Sequence, residues 1–457
     1  MYLATVGTTG TTSAGGSRRR AWRLVGANVL ALGAVSLVTD VSAEMVTAVL
    51  PVYLVLGLHL GPAAYGVVDG VYTGATAVLR LVGGYLADRV NRRKAVAGAG
   101  YALSAVAKLG LLAVGGSAAG LGLMIAADRT GKGLRTAPRD ALITLSAPPH
   151  LLGRAFGLHR AMDSAGAFLG PLVALGVLAT AGNAFDAVFV TSFCVAALGV
   201  LLLVLFVRDH RDPRPATAVS PRAVLGLLGD PAVRRITLAA LLLGFATIGD
   251  GFVYLLLQRR EELAVGWFPL LAVGTSLAYL LLAAPLGALA DRIGRLPVLL
   301  GGYAALAAVY LLLFGPLGGW PLVVLALALY GLFYAGTDGV LMALVGPLLP
   351  ARLRTTGLAL VQTAQALAYL GSSVLFGLAW QHWGPAAATR IAAGCVAVAA
   401  LALAALLLRL PGVTAGPDAD PGGPGGGPGG SGGDPGGPGG GAGGPGGPRP
   451  DRTGVPA

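Results

Sequence analysis

Between Ala21 and Leu410 the chain alternates long apolar runs with short breaks made of glycine, proline or charge. Crossing the hydrocarbon core of a bilayer takes roughly 20 apolar residues in a helix, and runs of that length recur along the sequence. The pattern predicts helices over 25–50, 64–87, 95–115, 119–146, 155–180 and 184–207, and after a polar break over 235–257, 266–290, 297–315, 320–346, 355–380 and 389–409. The break at 208–234 is rich in Arg, Asp and Pro and has the composition of a linker. After Pro411 the chain becomes almost entirely Gly, Pro and Asp, a tail that cannot bury a core and is expected to be disordered.

The two sets of runs repeat one another. Gly84-Tyr-Leu-Ala-Asp88-Arg89 at the end of the second run returns as Gly287-Ala-Leu-Ala-Asp291-Arg292 at the end of the eighth. Asp40 in the first matches Asp250 in the seventh, and Pro149 to Gly157 matches Pro350 to Gly357, all at offsets of about 200 residues. A duplicated membrane unit accounts for both the period and the hydropathy. The expected organisation is an all-α polytopic membrane protein of 12 transmembrane helices in two pseudo-symmetric six-helix bundles, 24–207 and 235–410, with a tail at 1–23, a linker at 208–234 and a second tail at 411–457.

Composition agrees with burial in lipid: 457 residues, 55% hydrophobic, 11% charged, mean hydropathy +0.76. The net charge of +12 taken alone could point to nucleic acid. Its distribution does not. Arg18, Arg19, Arg20 and Arg23, then Arg89, Arg92, Arg93 and Lys94, then Arg154, Arg208, Arg211, Arg214 and Arg222, then Arg292, Arg295, Arg352 and Arg354 all fall in alternate connections. The connections between, at Gly57–Gly61, Gly115–Gly120 and Gly315–Gly319, contain no Lys or Arg. By the positive-inside rule both termini are expected to be cytoplasmic, and the expected location is the plasma membrane, as a multi-pass protein. Arg259 and Arg260 break the rule, followed at once by Glu261 and Glu262. The start of the chain lacks the apolar stretch and cleavage site of a signal peptide. Cys194 and Cys395 lie within apolar runs and are expected to pack, not to pair.

Three motifs carry chemistry. At the turn after the second helix, Gly84-x-x-x-Asp88-Arg89-x-x-Arg92-Arg93 joins a small residue to an acid and several bases, and the second copy is Gly287, Asp291, Arg292, Gly294 and Arg295. One reading is a charge latch, made in one conformation and broken in another; the other is a solvated turn. The fifth helix contains Gly157-x8-Gly166-x3-Gly170-Pro171, which permits close helix approach and a bend. The fourth reads Asp128-Arg129-Thr-Gly-Lys132-Gly-Leu-Arg135-Thr-Ala-Pro-Arg139-Asp140, with positions 128, 132, 135 and 139 on one helical stripe. Charges inside a bilayer must face partners or a wet cavity, and Asp40, Glu44, Asp69 and Asp163 are the available acids. Three roles compete: structural pairing, proton coupling through Asp40, Glu44 or Asp163, and recognition of an anionic solute by Arg129, Lys132, Arg135 or Arg139. Asp250 and Asp338, each beside glycines, are cavity candidates in the second set, or helix-end acids facing water. Tyr53, Tyr72, Tyr254, Tyr279, Tyr334 and Tyr369 could line a cavity too, although interface anchoring explains most membrane tyrosines.

The turn after the second helix resembles the loop signature of the major facilitator superfamily, with Asn91 where that family usually has Gly. The likeness covers Leu24 to Leu410. It implies that Asp88 helps to close and release the cytoplasmic side during transport. The fifth-helix motif resembles the family's antiporter signature, with Ala174 and Leu175 in place of the final glycines, which favours export. Arg129 sits nearest the family's fourth-helix arginine, which implies a part in proton coupling. The further bases resemble those of a bacterial subgroup of uncharacterised facilitators. The resemblance also implies a monomer.

Other chemistries lack their residues. Gly131-Lys132-Gly133 has neither the upstream Gly nor the following Ser or Thr of a phosphate loop, and no zinc or serine-hydrolase motif occurs. The chain is expected not to be an enzyme and to need no cofactor or metal, with a small solute, protons and the bilayer as partners and no nucleic acid. The expected function is proton-coupled efflux of a small molecule by alternating access. Uptake of an organic anion, or a channel or non-transporting sensor, are the alternatives.

Overall fold

The computed structural model describes residues 26–90, 92–115, 117–147, 151–209, 226–338, 340–345 and 354–407. Every regular element among them is helical: α1 (Ala27–Val52), α2 (Pro62–Val90), α3 (Arg93–Ala113), α4 (Ala118–Ser146), α5 (Leu152–Thr180), α6 (Phe185–Phe206), α7 (Pro231–Ala246), α8 (Asp250–Arg260), α9 (Phe268–Ile293), α10 (Arg295–Leu312), α11 (Gly319–Thr337), α12 (Val340–Val345) and α13 (Arg354–Leu407). Among the described residues nine stretches are long and apolar enough to cross a membrane. Helices α2 and α4, at 29 residues each, have the length without the hydropathy, because charges interrupt them. Helix α13 turns at Gly384, whose φ of 82° and ψ of 165° are not helical, and Pro385 follows.

Local chemistry sets several ends. Ser117 Oγ accepts from the Gly120 amide at 3.2 Å to start α4, and Asp230 caps α7 at Ala232 with Pro231 in the first turn. The predicted run 235–257 is interrupted. Helix α7 stops at Ala246, the chain extends through Thr247–Gly249, and α8 restarts at Asp250. The Tyr310 hydroxyl fills part of the gap by accepting from the Ile248 amide at 3.0 Å. The run 320–346 divides likewise at Asp338, whose ψ of 125° ends α11.

Helices α1–α6 pack among themselves, with α1 against α5 and α6 and with α4 against α2 and α3; α9 packs with α11, α10 with α11 and α13, and α7 with α13. The two sets meet chiefly where α2 lies along α13 and α5 along α9. At the end opposite the basic connections this contact is close. An added Cβ at Gly66 of α2 would collide with the Ser373 carbonyl of α13, and Tyr65, Phe252, Phe376 and Trp380 stack edge to face beside it. The same end explains the displaced arginine. Arg260 donates to the carbonyls of Leu312, Gly315 and Leu317, and Glu261 accepts from the Gly319 amide at 2.6 Å. Arg260 therefore closes the α10–α11 connection. Cys194 is exposed and Cys395 partly buried, so Cys194 faces outward instead of packing as expected.

A single methyl group at the seal is expected to be felt. Gly66→Ala should lower the melting temperature of the purified protein, since overpacking costs about 1–3 kcal/mol, whereas Gly122→Ala, where an added Cβ meets nothing within 4 Å, should not. A thermal melt in detergent checks both.

Candidate functional site

The fourth-helix charges are matched one by one. Asp128 accepts from Lys108 at 3.1 Å, from Ser104 and from Arg129. Arg135 reaches Asp40 at 3.3 Å, and Arg139 pairs with Asp140 at 3.0 Å and lies 3.7 Å from Asp163. Lys132 approaches Glu44 at 3.9 Å. Ser36 bridges, accepting from Arg139 at 3.1 Å and donating to Asp163 at 2.6 Å. Two arginines also lie over tyrosine faces, Arg129 on Tyr72 at 3.8 Å and Arg135 on Tyr101 at 4.5 Å. Lys108, Arg129, Arg135 and Arg139 are each no more than 5% exposed, so none of these cations is held by bulk water. Breaking such a buried pair by removing one partner costs about 3–5 kcal/mol.

Glycine makes the geometry available. On α5, an added Cβ at Gly166 would meet Leu37 and Asp40, and one at Gly170 would meet Glu44. Helix α1 thus lies directly on the α5 motif, with its two acids turned toward α4. Gly157 meets nothing within 4 Å, and the motif's packing role belongs to its later glycines. Pro171 lines the central cavity.

That cavity, of about 790 Å³, lies between the two helix sets. Glu44, Asp69 and Tyr72 face it from the first set; Asp250, Tyr254, Tyr334 and Asp338 face it from the second. At one end it stops at the α2–α13 seal. Toward the basic connections its lining continues through Asp338, Leu341, Met342 and Gln362. Asp69 belongs here and not with the α4 bases: it accepts a hydrogen bond from Ser373 across the two sets and lies against Gly249 at the start of α8. A side chain at Gly249 would occupy the place of that carboxylate. Asp250 accepts from Tyr330 at 2.8 Å and from Tyr334, and its position in the first turn of α8 suits a negative charge. Asp338 is exposed and accepts from Tyr279 at 3.3 Å.

Arg129, Lys132, Arg135 and Arg139, with Asp128 and Asp140, are absent from the described lining. They sit behind it, and Glu44 is the charged residue shared by the network and the described lining. Tyr72, Tyr254, Tyr279, Tyr334 and Tyr369 all line the cavity, so interface anchoring is not their role, while Tyr53 packs on Phe185 and Phe189. Lys108 escaped the sequence reading because its own helix shows a lone base in an apolar run. Its spacing from Asp128 becomes visible only when α3 meets α4.

Of the latch motif, the surroundings of Gly84 and the side chains of Asp88 and Arg89 lie outside what is described, as does Asn91. Arg92 is exposed and Arg93 buried at the start of α3. In the second copy Gly287 lies within α9, and Asp291 and Arg292 are exposed. Arg295 donates to the Ala343 carbonyl at 2.7 Å. Gly294 has φ +94°, which accounts for glycine at that turn. Among the described residues no cluster of three His, Cys, Asp or Glu side chains could hold a metal.

Helical in every described element, with membrane-length apolar helices around a central cavity, the chain is a polytopic membrane protein. A sequence model of the Major Facilitator Superfamily matches residues 32–274 and 260–429. An uncharacterized MFS-type transporter of Methanocaldococcus jannaschii is 31% identical over 362 residues, 78% of this chain and 88% of the relative. The chain belongs to the Major Facilitator Superfamily. Solved structures share the fold: a variant of the nucleoside transporter NupG at TM-score 0.72 and 16% identity, covering 83% of this chain and 99% of that one, and a POT family transporter at 0.73 and 14%, covering 85% and 97%.

The matched charges predict an order of severity. Asp128→Asn, which leaves Lys108 and Arg129 without their acid, should destabilise more than Lys108→Met, which leaves the Arg129–Asp128 pair. Adding Lys108→Met to Asp128→Asn should recover part of the loss, read from melting temperatures of the three variants.

Proposed function

We propose that this protein is a secondary active transporter of a small molecule, exporting it in exchange for protons by alternating access. The observation that carries the reading is the cavity lined by both helix sets, closed at one end by the α2–α13 seal and continuing toward the basic connections. In the positive-inside orientation, with both termini cytoplasmic in the plasma membrane, this is a state open to the cytoplasm. The two bundles, 24–207 and 235–410, make twelve passes and rock about the central site as a monomer. Gly384 divides α13 into two of those passes. Exposure of Asp291 and Arg292 fits a latch released in this state, and Asp88 is its counterpart in the first bundle.

Proton coupling is assigned to Asp40, Glu44 and Asp163, with Arg129 holding Asp128 in the network behind them. Glu44 faces the cavity and is 3.9 Å from Lys132, so a proton arriving there would free the lysine and rearrange the pairs that locate α1. A carboxyl able to bind either a proton or solute gives reciprocal coupling between the two. Uptake of an organic anion is less well supported, since no base occurs among the described lining residues.

Liposomes carrying the purified protein and an internal pH dye test this reading. Tetraphenylphosphonium, benzoate and uridine are supplied in turn. Solute-dependent proton movement is expected with at least one of them, and Glu44→Gln should abolish it. Full proton-dependent flux in the Asp40→Asn and Glu44→Gln variants, singly and together, would remove the assignment to the first helix; uncoupled, non-saturating flux would indicate a channel.

A further inference from the structure

The bases of the α3–α4 network are matched in number by acids. Lys108, Arg129, Lys132, Arg135 and Arg139 are answered by Asp128, Glu44, Asp40, Asp140 and Asp163 within 4 Å. The cavity has no such balance. Asp69 and Asp250 face it with only hydroxyl partners given by the hydrogen bonds: Ser373 for Asp69, Tyr330 and Tyr334 for Asp250. Hydroxyls donate hydrogen bonds but bring no positive charge, and a carboxylate in a low-dielectric site calls for a cation or a proton. Among the described lining residues there is no Lys, Arg or His to supply one. Exposed Asp338 extends the negative lining toward the basic connections.

The remaining walls mix aliphatic, small polar and aromatic side chains. Tyr65, Tyr254 and Tyr369 stand around the same space, one face of Tyr72 already carries Arg129, and ring faces attract cations, by about 0.5–2 kcal/mol each. A bare metal ion would need six or so oxygens at 2.3–2.6 Å or closer, whereas a cavity of about 790 Å³ is within the range of pockets that take a drug-sized ligand.

We infer that the cavity takes an organic cation, a lipophilic ammonium or comparable delocalised cation, held between Asp69 on α2 and Asp250 on α8 against the tyrosine faces. The inference rests on the transport reading for its purpose but not for its test. Because Asp69 also receives the Ser373 hydrogen bond that crosses the seal, a cation bound beside it competes with a contact that belongs to the closed end. Binding and gating then share one carboxylate.

Two probes of the same shape and opposite charge, tetraphenylphosphonium and tetraphenylborate, decide the matter by equilibrium dialysis with the full-length protein in detergent. Saturable binding of the phosphonium and none of the borate is the expected result. Asp69→Asn and Asp250→Asn should each weaken phosphonium binding by roughly tenfold or more, and Asp250→Glu should retain most of it. Equal binding of the two probes by the unmodified protein, or preference for the borate, overturns the inference whether or not the variants fold. Unchanged phosphonium affinity in both Asn variants does the same. Phosphonium binding without flux in liposomes would overturn the transport reading and leave this one standing; coupled flux of benzoate or uridine with no phosphonium binding would do the reverse.

Discussion

A cation inside a bilayer protein must find an anion within a few ångströms, and the first helix set is arranged around that requirement. Five bases on α3 and α4 would each be costly if left unpaired in a medium of low polarity. Matching them fixes which face α1 turns to α4, how near α5 stands, and why α3 lies where Lys108 meets Asp128. The glycines of α5 are the steric counterpart, since α1 could not place Asp40 and Glu44 so close to α5 over larger side chains. Charge and packing here are one constraint expressed in two sets of residues.

The second helix set meets its polar groups in another way. Its cavity acids are answered by hydroxyls: Tyr330 and Tyr334 at Asp250, Tyr279 at Asp338. Both acids lie at interruptions of helix, where α7 gives way to α8 and where α11 ends. Interrupted helices are tolerated at membrane depth where they border a cavity or are covered by protein, and the Tyr310 bond to the Ile248 amide is that cover. The duplicated sequence has therefore come to hold two different electrostatic environments on the two sides of one cavity.

Much of this was legible in the sequence. Hydropathy and the distribution of Arg marked the helices, and the repeat of Gly84–Arg89 at Gly287–Arg292 marked the duplication. The stripe on α4 called for partners or a wet cavity and left three roles open, and Asp40, Glu44, Asp69 and Asp163 were recognisable as candidate partners because they were acids in apolar runs. Pair assignments were less visible, because they depend on helix rotation: Asp69 has the same sequence context as Asp40 but points to the opposite helix set. The breaks at Thr247–Gly249 and Asp338 were hidden by uninterrupted hydropathy, which records burial and not backbone path. Arg260 ran against the charge rule because its partners are carbonyls, and carbonyls have no signature in sequence.

The contrast between ion pairs in one half and helix breaks in the other has a mechanical meaning. Charges of opposite sign tie α1, α3, α4 and α5 to one another. The other half has backbone breaks at Thr247–Gly249 and Asp338. Bending at either break separates no buried ion pair of the network, whereas sliding α1 along α4 would part Asp40 from Arg135.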